Sequence, residues 1–181
     1  MASFNLIKAA VDSPTDEEWL SRAFPGANLI GFTPWHSART IDWAVNSVLR
    51  GRVELVEATA WSDVNVPGAL FGAGVDRQAA DQVPNVVGRS RLREYVLALR
   101  DDTVAWFDGL PPADLEGTIN LRAASSRPEY LAEPVWAEIA DLDGIPKWQF
   151  LARPCMSHIR VHYGQSMAEL EALRAANRVG A

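Results

Sequence analysis

The chain has 181 residues, 48% of them hydrophobic and 22% charged, with a formal net charge of −6. That length supplies one domain with a sizeable core, so residues 1–181 are read as a single domain, and an acidic surface without a basic run argues against a nucleic-acid partner. The lone cysteine, Cys155, excludes an intrachain disulfide and a cysteine-rich zinc knuckle.

No apolar run reaches the length that spans a bilayer, and Met1 to Asp12 has neither the apolar stretch nor the cleavage site of a signal peptide. The expectation is a cytoplasmic protein with no membrane partner. Lysine occurs only as Lys8 and Lys147, so the basic side is carried by arginine, a bias that reflects a high-GC genome rather than a binding surface.

Ser13-Pro14-Thr15-Asp16 predicts a helix start, with Ser13 as the cap, Pro14 at the first helical position and an acid three residues after the cap. This helix stops before Pro25-Gly26. Thr33-Pro34 opens a second helix, whose apolar residues recur at three- and four-residue spacing through Val48 and Leu49 up to Gly51. Residues 52 to 88 are punctuated by glycine and proline with no lasting period. A connection of that length packs across one end of a bundle or shapes a pocket, with a short helical piece near Asp76 to Val83.

Ser90 opens the clearest helix, with Leu92, Val96, Leu99, Thr103, Trp106 and Leu110 on one face and Pro111-Pro112 after it. Residues 113 to 127 are expected to be extended in part. Pro128 to Leu142 reads as a short amphipathic helix, and Pro146 opens a last helix to about Asn177. Pro154 inside it predicts a kink or a fresh start, because proline lacks the backbone donor and clashes with the preceding turn.

Three histidines are present: His36, His158 and His162. Four residues on a helix is a rotation of about 400°, so His158 and His162 project from one face a turn apart and are spaced to share one metal ion. A pair at this spacing also occurs as a solvated surface pair. His36 lies in the first turn of the second helix, and nothing in the spacing requires it to reach the other two.

Other residues carry two readings each. Arg39 and Asp42 either orient a ligand or form an ion pair, and the ion pair is favoured. Gln165 and Glu169 continue the face of the histidine pair, as partners behind a ligand, as a general base, or as solvated side chains. Cys155 is a fourth ligand, a reactive thiol or, most commonly for such a residue, a small buried hydrophobe. Gly72-Ala73-Gly74 lacks the context of a dinucleotide site. Ser157 beside His158 is no evidence of a nucleophile and base, and Trp35, Trp43 and Trp106 read as core.

The segment Trp35-His36-Ser37-Ala38-Arg39-Thr40-Ile41-Asp42-Trp43 resembles the first ligand helix of the DinB/YfiT-like superfamily. The tail His158-Ile159-Arg160-Val161-His162-Tyr163-Gly164-Gln165 resembles its closing signature. A Gly/Pro-rich connection around Trp61 to Gly74 and a long helix ending in a Leu-Pro-Pro-x-Asp-Leu stretch follow the same order. The resemblance covers about residues 30 to 175. Pro154 and the extra segment from Arg127 to Asp143 depart from the family pattern and bear on local helix geometry and pocket shape.

This resemblance implies an all-α four-helix bundle with a long connection between the second and third main helices. It also implies a divalent metal held by His36, His158 and His162, with zinc the first expectation and nickel, manganese or iron the alternatives. The superfamily includes transferases and isomerases that use low-molecular-weight thiols such as mycothiol or bacillithiol, and related domains occur in iron-dependent sulfoxide synthases. The leading expectation is therefore an enzyme that activates a small thiol for transfer to, or isomerisation of, a small electrophile. The rivals are a metal-dependent hydrolase, and a secondary-metabolism enzyme whose pocket is built by Arg127 to Asp143 and the connection before Ser90. A non-catalytic metal-binding bundle is a further rival. A small-molecule substrate and a homodimer complete the expectation.

Overall fold

A computed structural model describes residues 2–124 and 127–180. The fold is all-helical, and among the described residues the only extended pairing is one antiparallel bridge, Thr118 to Pro146. The first helix, α1, spans Ala2–Asp12 and buries Phe4, Ile7, Ala10 and Val11. Their three- and four-residue spacing makes a single apolar stripe. Ser13 closes α1 by donating both its N–H and its hydroxyl to the Ala9 carbonyl, at 3.0 and 2.7 Å.

Ser13 therefore ends one helix instead of capping the next. The cap of α2, Asp16–Trp19, is Thr15, which forms a reciprocal capping box with Glu18. This helix is a single turn. Trp19 then turns inward and donates its indole N–H to the Val87 carbonyl at 3.1 Å. Its ring lies so close to Gly31 that a Cβ there would sit 2.3 Å from it, so only glycine fits.

The second main helix, α3, spans Phe32–Asp42 and is buried along its whole length. It continues as a π-helical stretch, Trp43–Leu49, before Gly51 ends it with φ +59°. The long connection that follows is core as much as surface: Val56, Val64, Val66, Ala69 and Phe71 are all buried. Asp42 accepts the backbone N–H groups of Leu55 and Val56 at 2.8 and 3.0 Å, and Trp35 donates to the Val64 carbonyl at 3.0 Å. Backbone groups of the connection, including the first two N–H groups of a 3-10 turn at Leu55–Glu57, are thus hydrogen-bonded by α3 itself, which is how a long connection can be buried.

Asp76 caps α4, Arg77–Val86, through the Ala79 N–H. The next helix, α5, covers Arg89–Asp108 and buries Leu92, Tyr95, Val96 and Leu99. Residues 113 to 127 contain a 3-10 turn, the bridge at Thr118 and the short helix α6, Leu121–Ala124; residues 125 and 126 lie outside the described residues. The expected helix from Pro128 to Leu142 is broken into a 3-10 turn at Pro128–Leu131, α7 at Val135–Ile139 and a second 3-10 turn at Ala140–Leu142.

The last helical run begins as α8, Lys147–Ala152, widens into a π-helical turn at Arg153–Ser157 and resumes as α9, His158–Gly180. Pro154 sits inside the wide turn, which is where a residue without a backbone donor disturbs the hydrogen-bond ladder least. In space α1 packs against α3, α5 and α9, and α3 packs against α5 and α9. Among the described residues no helix is long and apolar enough to cross a membrane.

Candidate metal centre

His36 comes from the first turn and a half of α3, and His158 and His162 from the first two turns of α9. Packing of α3 on α9 brings them together. Nε2 of His158 lies 3.3 Å from Nε2 of His36 and 3.0 Å from Nε2 of His162. One ring nitrogen from each of the three falls within 4.8 Å of the others. His36 is buried, and the other two are partly buried.

Outer hydrogen bonds decide which ring nitrogen carries the proton. Nδ1 of His36 lies 2.6 Å from the Phe71 carbonyl oxygen, which accepts only, so Nδ1 is the donor and Nε2 is a bare lone pair. Nδ1 of His162 lies 3.0 Å from Oε1 of Gln165. The Gln165 amide is oriented by its own donation from Nε2 to Oε1 of Glu169 at 3.0 Å. His162 therefore also donates through Nδ1 and presents a bare Nε2. Nδ1 of His158 is buried without a hydrogen-bond partner in the described structure, so its tautomer follows whatever its Nε2 faces.

Three imidazole nitrogens thus converge where at most one proton is available to share. A cation between them satisfies all three lone pairs. Two nitrogens each about 2.0–2.1 Å from one ion, at angles between tetrahedral and right-angled, stand roughly 2.9–3.4 Å apart. The two separations, 3.0 and 3.3 Å, fall in that range, and the donor set fits a divalent ion of the zinc, nickel, manganese or iron type.

The electrostatics agree. Burial first, and the neighbouring histidines second, pull the His36 pKa down to about 3; burial and His162 pull that of His158 down to about 4. Burial also lowers His162, against the Gln165 and Glu169 contacts that raise it. All three rings are neutral at pH 7, which is the form that ligates.

Gly72 was legible only as a loop glycine, and it turns out to shape the site. It adopts φ +98°, and a Cβ there would lie 2.6 Å from Nδ1 of His36. The Phe71 ring stacks on Trp43 at 4.6 Å between centroids and tilts against Tyr130 at 5.3 Å, which fixes the carbonyl that holds His36.

Arg39 and Asp42 lie one and two turns beyond His36 but are fully buried and do not line the cavity at the histidines. They form an ion pair at 2.9 Å, as the favoured reading has it. Arg39 also pairs with Glu54 at 2.7 Å, while Tyr95 and Tyr130 donate to Asp42 and Glu54, each at 2.5 Å. Cys155 is buried beside a separate apolar cavity with Ile41, Val45 and Leu151, outside the histidine cluster, and burial pushes its thiol up to about 12. It is a hydrophobe, neither a ligand nor a nucleophile. Ser157 donates to the Arg153 carbonyl at 3.0 Å, as a helix residue does.

Next to the histidines opens a cavity of about 520 Å³. Phe71, Gly72 and Ala73 of the long connection line it, as do Glu138, Ile139, Asp141 and Leu142 of the segment between Arg127 and Asp143. Comparison of the chain with protein families, with curated proteins and with solved structures yields no match.

Proposed function

We propose that the protein is a divalent-metal-dependent enzyme whose ion is held by His36, His158 and His162, built on a four-helix bundle of the DinB/YfiT-like type. The observation that carries this reading is the convergence of three Nε2 lone pairs, two with tautomers set by Phe71 and Gln165, at the wall of a cavity. Packing among α1, α3, α5 and α9 supports the bundle. Three protein ligands beside an open cavity leave positions for an exogenous ligand, the mark of a catalytic rather than a structural site.

A divalent ion held by His36, His158 and His162 would lower the pKa of a thiol or water bound beside it and so would supply a nucleophile near neutral pH. The protein's own residues do the positioning. Phe71 and Gln165 orient two of the ligands, and the apolar wall of Phe32, Trp43 and Ile139 limits water at the reacting centre. We assign the nucleophile as a low-molecular-weight thiol, on the resemblance of the His36 and His158–Gln165 segments to a superfamily rich in thiol transferases.

The test uses metal-loaded protein with 1-chloro-2,4-dinitrobenzene and a small thiol, against 4-nitrophenyl acetate without thiol. Thioether formation above the uncatalysed rate, in which the new S–C bond replaces C–Cl, chloride leaves and the thiol proton goes to buffer, is expected only with metal-loaded protein and thiol together. Ester hydrolysis without thiol, at a rate lost in His162→Ala, would replace the thiol assignment with the hydrolase reading.

A further inference from the structure

The cavity beside the histidines has the volume of a small-molecule site, about 520 Å³. Its apolar lining is Phe32, Trp43, Phe71, Ile139, Leu142 and Val161, three of them aromatic. A flat apolar group matches such walls. The ionised residues lining it are Glu138, Asp141 and Arg153, two carboxylates against one guanidinium.

Arg153 is paired at the exposed rim of the cavity. Its Nη2 lies 2.5 Å from Oδ2 of Asp141. Glu138 is tied down separately, its Oε1 accepting the Gly74 N–H at 2.8 Å, so a second carboxylate is held at the same cavity. An anionic ligand seeks a free guanidinium or ammonium. Among the described residues the lining offers none, and the uncompensated carboxylate repels negative charge. These acids come from α7 and the turn after it, whereas the histidines come from α3 and α9. The part of a ligand away from the histidines meets them.

We propose that this cavity takes an uncharged or cationic molecule bearing a flat apolar group, and that Glu138 and Asp141 select against anions. The inference rests on the proposed function only in taking this cavity as the place where substrate sits.

The test compares three probes of one shape, 4-methylbenzyl alcohol, 4-methylbenzylammonium and 4-methylbenzoate, by ligand-observed NMR at low ionic strength on metal-free and on cobalt-loaded protein. On the metal-free protein the alcohol and the ammonium are expected to bind at least about fivefold more tightly than the benzoate, a gap that narrows in high salt. Glu138→Gln with Asp141→Asn is expected to close most of that gap. Val161→Trp, at an exposed position of the wall, is expected to abolish binding of all three. Benzoate binding as tightly as the alcohol, or binding lost selectively in Arg153→Gln, would overturn the proposal, as would binding that survives Val161→Trp. Discrimination without cobalt uptake would defeat the metal reading alone; cobalt uptake without discrimination would defeat this inference alone.

Discussion

The carbonyl oxygen of Phe71 lies 2.6 Å from Nδ1 of His36, although 35 residues separate them in the chain. This contact makes a loop part of the candidate metal site. It sets the tautomer of His36, leaves its Nε2 free to ligate, and requires the next residue to be glycine, because a Cβ at position 72 would sit 2.6 Å from the same ring nitrogen.

Gly72→Ala is accordingly expected to weaken metal affinity by about 10–100-fold, the range typical for disturbing a group behind a ligand. It is also expected to destabilise the metal-free protein by about 1–3 kcal/mol, since alanine is strained at φ +98°. Chelator competition and urea denaturation read the two effects separately. An affinity within twofold of the parent would show that the Phe71–Gly72 turn does not position His36.

Gln165 acts from the exposed side of the site, between His162 and Glu169. Gln165→Ala is expected to lower metal affinity about tenfold with unchanged helical content. Glu169→Gln keeps a hydrogen-bonding side chain in place and is expected to cost less. If the two variants weaken binding equally, the carboxylate matters directly and the relay through Gln165 is wrong.

The histidine pair was legible in the chain because helical periodicity alone puts residues four apart on one face. The membership of His36 was legible only through the resemblance of its segment to a known ligand helix, since spacing does not show it: the contact depends on α3 packing against α9 and on a carbonyl from an irregular segment. Helix α1 was missed, although Phe4, Ile7 and Val11 carried the three- and four-residue spacing that marks such a helix. The break at Pro154 was anticipated; that the chain resolves it with a π-helical turn was not, because a sequence contains no direct sign of which backbone widening absorbs a missing donor. An ion pair was foreseen for Arg39 and Asp42, within a helix or between helices, but not its full burial, since charged side chains are rarely buried and Glu54 comes from outside α3.

That buried cluster makes its own prediction. Arg39 stands between Asp42 and Glu54 with none of the three exposed by more than 2%. Arg39→Met leaves two buried carboxylates without their cation and is expected to destabilise the fold by about 3–5 kcal/mol. Chemical denaturation measures it, and a loss below about 1 kcal/mol would mean that the carboxylates are relieved some other way.

Acid sensitivity is traceable to Glu18. Its hydrogen bond from Arg174, foremost, and those of the Thr15 capping box hold its pKa at about 2, against an ordinary 4.5. A folded-state pKa below the unfolded one means that this contribution is complete above pH 4.5 and disappears as pH falls from there through 2. Glu18→Gln is expected to lower the melting temperature by about 2–4 °C at pH 7 and to converge on the parent near pH 2. A difference that persists undiminished at pH 2 would assign the effect to packing instead of charge.

The most direct test of the account is the metal content of protein purified without a histidine tag, measured by elemental analysis beside His36→Ala and His162→Ala. The account predicts about one equivalent of a divalent transition metal in the parent, lost in both variants while the helical spectrum is retained. No metal in the parent after reconstitution, or an undiminished equivalent in His36→Ala, would contradict it.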